Sequence, residues 1–406
     1  TCALPICANV RLQHTVKVWV TWPRWGDAVV QVAPGEVWLL PLRWRAAAIE
    51  PGPGGFNAPL WLKQQGLQGF AQVVTPAQIV GQARLLKAGP LDVQHLRQSV
   101  RDRILKTISD HRRAALVVAL SMGDQNAIDQ EDWEVFRRTG VAHLVSISGL
   151  HVTLLAHWLA CAVASLWRRL TWRGAPCALY LPAPVLAQAV TLIAAALYAV
   201  FSGWGLPAQR TVWTLLALQG LRWLGCTWPP HAVWLALMAG IAVFDPYALS
   251  QSGFWLSYVA VGLLYGLEPA AETSAWRQWW AQTWVLQWQI TLVLMPMSLY
   301  FFQGVSVAGL WVNLWAIPWV TWVVTPLALM GMWFEPLWTL AGWAVGWLLM
   351  GLGWVAQSPW ALAEAISPPL GVVIWATISA MLAIQPGPWA FRAWCGGLVW
   401  PLLWWS

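Results

Sequence analysis

The stretch HLVSISGLHV, residues 143–152, lies where a charged N-terminal region gives way to almost continuous apolar sequence. Two histidines, two serines and a glycine occupy ten positions at the start of an expected membrane helix. Polar and ionisable groups are costly inside a bilayer, so their concentration here marks a candidate functional site. His143 and His151 are eight residues apart, about 80° around a regular helix, so we expect them on different faces.

Two interpretations of this polarity remain open from the residues alone. Ser-Gly pairs occur at helix kinks, and interrupted helices in transporters line water-filled paths, which favours a polar, interrupted helix facing the bundle interior. Alternatively, the same side chains only hydrogen-bond between helices and hold them together. Enzymatic interpretations fail. A zinc site lacks further ligands beyond a poorly placed His157, and Ser148 is not in a Gly-x-Ser-x-Gly context.

The composition indicates a mainly α-helical, polytopic membrane protein. Of 406 residues 59% are apolar and only 10% are charged, and the net charge of +7 suits anionic lipid or nucleic acid equally well. Residues 1–140 carry sixteen of the 23 Lys and Arg and eleven of the 16 Asp and Glu. The chain therefore divides near residue 140 into a largely soluble part and a largely membrane part.

The first 90 residues have the pattern of a small β-domain. Apolar residues alternate from Val10 to Val20, which predicts a half-buried strand. Further strands are predicted within 34–47, 69–75 and 77–86, with a short helix over 57–66. We interpret residues 1–90 as an extracytoplasmic β-barrel domain, with an OB-like barrel as its leading form.

Residues 91–140 are predicted to form a helical linker. Apolar residues recur every three or four positions over 91–121 and arginines occupy the other faces, which indicates one amphipathic helix. Such a helix would either lie on a membrane surface or pack on its own protein. A second helix is expected to begin after Asp129 and to end at Thr139-Gly140.

Residues 141–406 are predicted to form the membrane domain, with about ten spans. Loop charge indicates their orientation, because the arginines outside the spans fall on alternate sides and therefore on one face of the membrane, which would be cytoplasmic. The N-terminal domain would then be extracytoplasmic in a multi-pass protein. The apolar segments are 141–167, 183–202, 208–225, 231–244, 252–267, 281–302, 306–333, 337–356, 370–385 and 389–405.

Three further polar residues in this domain are candidates for a transport path, each with a simpler alternative. Arg210 would meet an anion or extend to the membrane interface. Asp245 precedes Pro246 and would serve the path or only cap a turn. Asn313 lies in an apolar span, where it would line a pore or hold two helices together. Gly342 and Gly346 form a Gly-x-x-x-Gly pattern that indicates close helix packing.

The segment VFRRTGVAHLVSISGLHVTLL (135–155) closely resembles the characteristic motif of the ComEC competence family. Other parts of the chain resemble family motifs in the same order, so the resemblance covers roughly residues 36–330. These parts are RWRAAAIEPGPGGFNAPLWLKQQGL (43–67), LSMGDQNAI (120–128), PAQRTVW (207–213), DPYALSQSGFWLSYVAVGLL (245–264) and MPMSLYFFQGVSVAGLWVNLWAIP (295–318).

The resemblance implies an inner-membrane channel for single-stranded transforming DNA, and it favours the path interpretation of 143–152. Its partners would be single-stranded DNA, the lipid bilayer, a DNA receptor outside and a translocating ATPase inside, with a homo-oligomer left open. No cofactor is expected. The implied path residues are His143, Ser146, Ser148, Gly149, His151, Arg210, Asp245 and Asn313, and Arg43, Arg45, Arg137 and Arg138 would contact DNA.

One departure from the family bears on enzymatic activity. Many members carry a metallo-β-lactamase-like domain, whose His-x-His-x-Asp-His motif is absent from this sequence. We therefore expect no catalytic residues, no metal ligands and no nuclease activity in this chain. The alternative to DNA uptake is transport of another anionic or amphipathic substrate on the same scaffold. An intramembrane hydrolase ranks last, because no nucleophile, base and orienting group can be named together.

Overall fold

The structure is a computed structural model that divides the chain into two compact units, Thr1–Ser99 and Val100–Ser406, which are described separately. The residues that it describes are 2–8, 16–22, 37–39, 42–45, 62, 67–73, 84–87, 93–172, 175–266, 276–364, 368–385 and 388–397.

The first unit contains short β-strands. Val18 and Val20 are buried on alternate positions of one strand, which is the pattern that predicted it. The strands are β1 (Cys2–Ala8), β2 (Val16–Trp22), β3 (Val37–Leu39), β4 (Leu42–Arg45), β5 (Gly69–Val73) and β6 (Arg84–Lys87).

Four of these strands form one sheet in the order β1-β2-β5-β4, with β2 and β5 parallel, and β3 pairs with β6 separately. The strands predicted within 10–20, 34–47 and 69–75 are thus confirmed where the structure describes them. Among the described residues the sheet is open at β1 and β4, so no closed barrel is found there and the OB-like form stays a prediction. Of the helix predicted over 57–66 only Leu62 is described, and the first part of the strand predicted over 77–86 also lies outside the described residues.

The second unit is helical, and the division between the units falls within its first helix. Its helices are α1 (Val93–Thr107), α2 (His111–Met122), α3 (Gln130–Thr139), α4 (Ala142–Val145), α5 (Gly149–Arg169), α6 (Cys177–Tyr180), α7 (Ala183–Phe201), α8 (Leu206–Trp223), α9 (Pro230–Phe244), α10 (Ser252–Gly266), α11 (Trp276–Phe302), α12 (Gly309–Trp319), α13 (Thr325–Met330), α14 (Pro336–Ala356), α15 (Leu370–Ile384) and α16 (Trp389–Gly397). A 3-10 turn covers Pro246–Ser250, a π-turn covers Val320–Val324, and short strands are β7 (Thr171–Trp172), β8 (Ala175–Pro176), β9 (Gly304–Ser306) and β10 (Leu362–Glu364).

The main core is built around α2. Every residue from Ala114 to Met122 is buried, and this stretch packs with α12, α13 and α14 in one apolar cluster. A helix that is apolar on all sides is stable only when it is surrounded by protein or lipid. The stretch Ala114–Met122, which falls within the predicted linker 91–140, therefore lies in the core of the second unit.

The prediction of one amphipathic helix over 91–121 is wrong. The chain breaks between Thr107 and His111, where the Asp110 side chain accepts hydrogen bonds from the backbone N–H groups of Arg112 (3.0 Å) and Arg113 (3.3 Å). An aspartate that caps a new helix in this way ends the preceding periodicity. The helix predicted after Asp129 is confirmed as α3, and Gly140 ends it with φ 72°.

Each of the ten predicted apolar segments contains a helix. Five are long and apolar enough to cross a membrane, namely Gly149–Arg169, Ala183–Phe201, Trp280–Phe302, Gly309–Met330 and Pro336–Ala356. Shorter apolar helices cover Pro230–Phe244, Ser252–Leu264 and Leu370–Ile384. The chain is therefore a mainly helical membrane protein.

The Gly-x-x-x-Gly pattern on α14 serves close packing, as expected. A Cβ at Gly342 would lie 3.2 Å from the Ile108 side chain, and one at Gly346 would lie 3.0 Å from the Arg113 guanidinium. The two glycines thus leave room for Ile108, which precedes α2, and for Arg113 in the first turn of α2.

Candidate functional site

The stretch 143–152 is an interrupted helix, as the sequence predicts. α4 ends at Val145, Ser146 and Ser148 are extended, and α5 begins at Gly149. Ser148 caps α5 because its Oγ accepts from the His151 backbone N–H at 3.4 Å, while the Ser148 N–H donates to His151 Nδ1 at 3.4 Å. The Ser146 hydroxyl donates to the His143 carbonyl at 3.0 Å and closes α4. The serines therefore stabilise the interruption itself.

The two histidines lie in different environments, as their spacing predicts. His151 is buried, with 2% of its surface exposed, whereas the His143 side chain is exposed. With Nδ1 accepting a hydrogen bond, His151 is neutral and carries its proton on Nε2. The break therefore separates a buried imidazole from an exposed one.

Gly149 permits a close approach between α5 and α8. A Cβ at this position would lie 2.5 Å from Thr211 Oγ1, and that hydroxyl is held in place by donating to the Pro207 carbonyl at 2.9 Å. A larger residue fits only if the Thr211 side chain or one of the two helices moves. Gly149 therefore serves the close packing of α5 against α8, and its role in a transport path stays a prediction.

Arg210 and Asp245 both have intramolecular partners. Arg210 Nη1 donates to the Gly253 carbonyl at 2.8 Å, so the guanidinium joins α8 to the first turn of α10. Asp245 Oδ1 accepts from the Tyr247 N–H at 3.1 Å and caps the 3-10 turn, which is the simpler of its two predicted roles.

Three polar atoms along α12, the π-turn and α13 are buried without a hydrogen-bond partner in the described part of the chain: Asn313 Oδ1, Thr321 Oγ1 and Thr325 Oγ1. Thr321 and Thr325 are each 3% exposed. Buried polar groups normally have partners, and those that do not call for an explanation such as an ion, a water or a second conformation.

The backbone beside these atoms is irregular. The π-turn Val320–Val324 lies between Pro318 and Pro326, and neither proline has a backbone N–H to donate. π-Turns inside helices frequently occur at functional sites. The sequence analysis singled out Asn313 but neither of the two threonines. The signal that could have drawn attention to them is the pair of prolines, Pro318 and Pro326, on either side of the π-turn.

Arg137 and Arg138 are engaged within the molecule. Arg137 forms ion pairs with Glu134 (2.9 Å) and Glu364 (2.8 Å), and Arg138 Nη2 donates to the Ser358 carbonyl at 3.2 Å. The hydrogen bond from Arg137 holds the pKa of Glu134 below its ordinary value, and the same bond raises the pKa of Arg137. Both arginines thus tie α3 to the chain around β10.

The end of α3 also contacts β9. The Ser306 hydroxyl donates to the Arg138 carbonyl at 2.7 Å and accepts from the Gly309 N–H at 2.9 Å. A Cβ at Gly140 would lie 3.0 Å from Ser306, so a glycine is needed there for space as well as for its positive φ. β9 pairs in turn with β10, which completes a compact junction of three segments.

Of the two N-terminal arginines proposed to contact DNA, Arg43 is exposed on β4, and the side chain of Arg45 lies outside the described residues. Trp44, between them, is 52% exposed. Among the described strands of its sheet, β4 lies at an edge. An exposed arginine and tryptophan therefore share a short edge.

An ion pair between buried Asp132 and half-exposed Arg112 was not anticipated from the sequence. Asp132 on α3 is 1% exposed and accepts from Arg112, with Nε 3.1 Å from each carboxylate oxygen and Nη2 closer still to Oδ1. This hydrogen bond raises the pKa of Arg112. The pair locks α2 against α3.

Within the described residues, no three His, Cys, Asp or Glu side chains are grouped so that they could hold one metal ion. Cys161 and His157 do form a close pair on α5, with Sγ 3.4 Å from Nε2.

Together these features define a class: a helical membrane protein with an interrupted helix and unpartnered polar groups inside its apolar segments. Residues 120–390 match the competence protein family model, and the chain belongs to that family, as the resemblance to ComEC-type proteins predicted. It is 30% identical to competence protein ComA of Neisseria gonorrhoeae over 96% of this chain and 56% of that protein.

Two further relatives are similar over most of the chain. The uncharacterized protein YcaI of Escherichia coli is 29% identical over 82% of this chain and 45% of its own length. Recombination protein 2 of Haemophilus influenzae is 24% identical over 91% and 44%. The chain thus spans about half the length of the curated relatives it matches. No solved structure matches it.

Proposed function

We propose that this chain forms the membrane conduit through which single-stranded DNA enters the cell during natural transformation. Membership of the competence family supports a role in DNA uptake. The chain itself would bind and pass the strand, with no catalytic step. In the proposed arrangement it crosses the bacterial inner membrane about ten times.

The observation that carries the proposal is irregular backbone within apolar helices. Helices in a bilayer are normally continuous, and a break is tolerated only where protein or a water-filled cavity surrounds it. The break at Ser146–Ser148 comes directly before the span Gly149–Arg169, and the π-turn Val320–Val324 lies within the span Gly309–Met330. Asn313, Thr321 and Thr325 add buried polar atoms beside the second one. A polar route between helices accounts for both features.

The proposed orientation places the arginine-rich loops in the cytoplasm and the N-terminal domain outside, where an OB-like domain would receive the strand. Exposed Arg43 and Trp44 on β4 suit a contact that is independent of sequence, with phosphates near the guanidinium and bases stacked on the indole. A receptor outside and a translocating ATPase inside would deliver and pull the DNA, since the sequence has no Gly-x-x-x-x-Gly-Lys-Ser/Thr loop of its own.

The test is DNA uptake in a transformable bacterium that lacks its own competence channel and expresses this chain. Labelled DNA retained inside the cells and transformant number are both measured. The variant Asn313→Leu with Thr321→Val removes two hydrogen-bonding groups from the proposed route. We expect a drop of about tenfold or more, because about 1.4 kcal/mol added to a passage barrier corresponds to tenfold in rate.

The matched control is Thr191→Val on α7, whose hydroxyl already donates to the Ala187 carbonyl at 2.8 Å. This variant should support uptake at the level of the unaltered chain. All variants are compared at equal amounts of membrane-inserted protein. Unchanged uptake in the double variant would remove this route from the proposal.

The alternative is a transporter of another anionic or amphipathic substrate on the same scaffold. Replacement of His143, His151 and Arg210 together tests it. Loss of DNA uptake supports the conduit, whereas normal uptake with a growth defect that is independent of DNA supports the alternative.

A further inference from the structure

The helix α14, one of the five helices long enough to cross a membrane, has a face that suits contact with lipid. Large apolar side chains recur along this face every three or four residues, which is the spacing of one side of a helix, and all of them are exposed. Such a stripe over most of the length of an apolar helix is expected where hydrocarbon surrounds it. This lipid-facing stripe consists of Leu340, Trp343, Trp347, Met350 and Trp354.

A second face of α14 contacts arginines instead. Trp338, Gly342 and Gly346 are each four residues apart, so they follow one ridge of the helix. The Arg103 guanidinium lies over the Trp338 ring, 5.4 Å from its centroid. The Arg113 guanidinium lies against Gly346, where an added Cβ would be 3.0 Å from Cζ. Two cationic groups therefore lie along a side of α14 that is different from the lipid-facing stripe.

Arg113 contacts this helix at its middle. Gly346 is the central residue of the 21-residue span Pro336–Ala356, about 15 Å from either end, and the hydrocarbon core of a bilayer is about 30 Å thick. Asp110 Oδ2 lies 2.9 Å from Arg113 Nε, and these two side chains are 41% and 42% exposed. Charged side chains at this depth are costly in hydrocarbon and face protein or a water-filled cavity. Because the described protein leaves this pair half-exposed, the space in front of it holds water.

Another exposed ion pair lies at the start of α14. Arg103 Nη1 is 3.4 Å from Glu335 Oε1, and both side chains are more than 40% exposed, at 41% and 53%. Arg103 Nε is buried and has no hydrogen-bond partner in the described part of the chain. Where protein offers no acceptor, a buried donor of this kind is usually satisfied by ordered water. Groups that require water therefore occur both at the start of α14 and at its middle.

We propose that a water-filled vestibule runs beside α14 from the end near Glu335 to the middle of the bilayer, and that Arg103, Asp110 and Arg113 form its wall. The vestibule gives a hydrophilic solute a route over about half the membrane thickness without contact with hydrocarbon. Each arginine in the wall has a carboxylate partner, and this balance of charge favours passage over tight binding. The residues that define the vestibule differ from those on which the proposed conduit rests.

The first test uses the unaltered chain in nanodiscs of phosphatidylethanolamine and phosphatidylglycerol. Hydroxyl radicals, generated in the water by a short X-ray pulse, oxidise the side chains that water reaches, and mass spectrometry locates the products. His111 is exposed next to Asp110, whereas Trp347 is exposed next to Gly346 on the lipid-facing stripe. We expect His111 to be oxidised faster than Trp347, although indole is intrinsically the more reactive group. Oxidation of Trp347 at an equal or higher rate would overturn the proposal.

The second test compares the surroundings of three positions with nitroxide labels. The labels are attached to His111→Cys, Lys106→Cys and Trp347→Cys in a background whose six native cysteines are replaced by alanine. A water-soluble nickel chelate and oxygen, which concentrates in hydrocarbon, each relax the labels that they can reach. The labels at positions 106 and 111 should be relaxed mainly by nickel, and the matched control at position 347 mainly by oxygen.

Two outcomes of the second test contradict the vestibule. Relaxation at position 111 mainly by oxygen would place the start of α2 in lipid. Relaxation at position 347 mainly by nickel would place the middle of α14 outside the bilayer, so that no vestibule inside the membrane is needed. Neither test measures DNA uptake, so failure of the proposed conduit and failure of the vestibule are distinguishable.

Discussion

Asp132 is a buried carboxylate whose removal has a calculable consequence. Its oxygens accept the Arg112 hydrogen bonds, and a charged hydrogen bond of this kind contributes about 1.5–3 kcal/mol. Because Arg112 is itself half-exposed, solvent screening keeps the loss toward the lower end of that range. We expect Asp132→Asn to lower the free energy of unfolding by about 2 kcal/mol, measured by denaturant unfolding in detergent.

The control for this prediction is Glu131→Gln in the same helical turn, whose side chain is exposed. That change should cost less than about 0.5 kcal/mol. Equal effects of the two substitutions would mean that local charge, rather than the buried pair with Arg112, stabilises α3.

A substitution at Gly149 tests whether the close packing of α5 against α8 stabilises the protein. Gly149→Ala places a methyl group against Thr211, and overpacking of this kind costs about 1–3 kcal/mol. We expect a lower melting temperature, and a recovery when Thr211→Ala is added because the obstructing hydroxyl is then gone. Gly220→Ala on α8, where an added Cβ would meet no atom within 4 Å apart from the adjoining backbone of its own helix, should be neutral or stabilising. A double variant no better than Gly149→Ala would contradict the steric explanation.

The sequence predicted those elements whose determining residues lie within a few positions of one another. Ser146, Ser148 and Gly149 predicted an interruption, and the capping bonds that produce it join residues three apart. The helix α3 was predictable from Asp129 and Gly140 for the same reason. Alternating Val18 and Val20 likewise identified β2.

The parts that could not be predicted depend on contacts distant in sequence. Arg137 pairs with Glu364, 227 residues away, and no pattern near either residue indicates it. The apolar run of α2 resembled one face of an amphipathic helix because its arginines lie at one end. Threonines in an apolar helix normally bond to the preceding turn, so nothing in the sequence distinguished Thr321 and Thr325.

The π-turn gives a prediction at this scale. Pro326→Ala restores a backbone N–H next to Val320–Val324 and lets the segment relax toward a regular α-helix. We expect stability to rise by about 1 kcal/mol and DNA uptake to fall, since irregular segments of this type are retained for function at a cost in stability. Thermal unfolding and transformant number are the two measurements.

Pro336→Ala is the comparison, because Pro336 is at the first turn of α14, where a missing N–H costs nothing. This substitution should change neither the thermal stability nor the number of transformants. If the Pro326→Ala protein is more stable and takes up DNA normally, the π-turn is not required for transport.

At the scale of the whole molecule, the proposed ten-span arrangement requires α9, which has 15 residues, to cross the bilayer. If it crosses, as the ten-span arrangement requires, its two ends face opposite compartments. In intact cells a membrane-impermeant maleimide should label Tyr247→Cys on a Cys226→Ser background and leave native Cys226 unlabelled. Both positions should react after lysis. Labelling of both in intact cells would show that α9 returns to the same side.

The burial of α2 has a consequence for how the protein is made. The residues that cover it, on α12 to α14, begin about 190 positions after α2 ends. At roughly 5–20 residues per second, a ribosome needs roughly ten to forty seconds to supply them. During that interval the nine-residue buried stretch of α2, Ala114–Met122, has no native neighbours from that part of the chain. The biogenesis of this protein therefore includes a waiting period, in which insertion machinery or a chaperone must shield α2 until the later helices arrive.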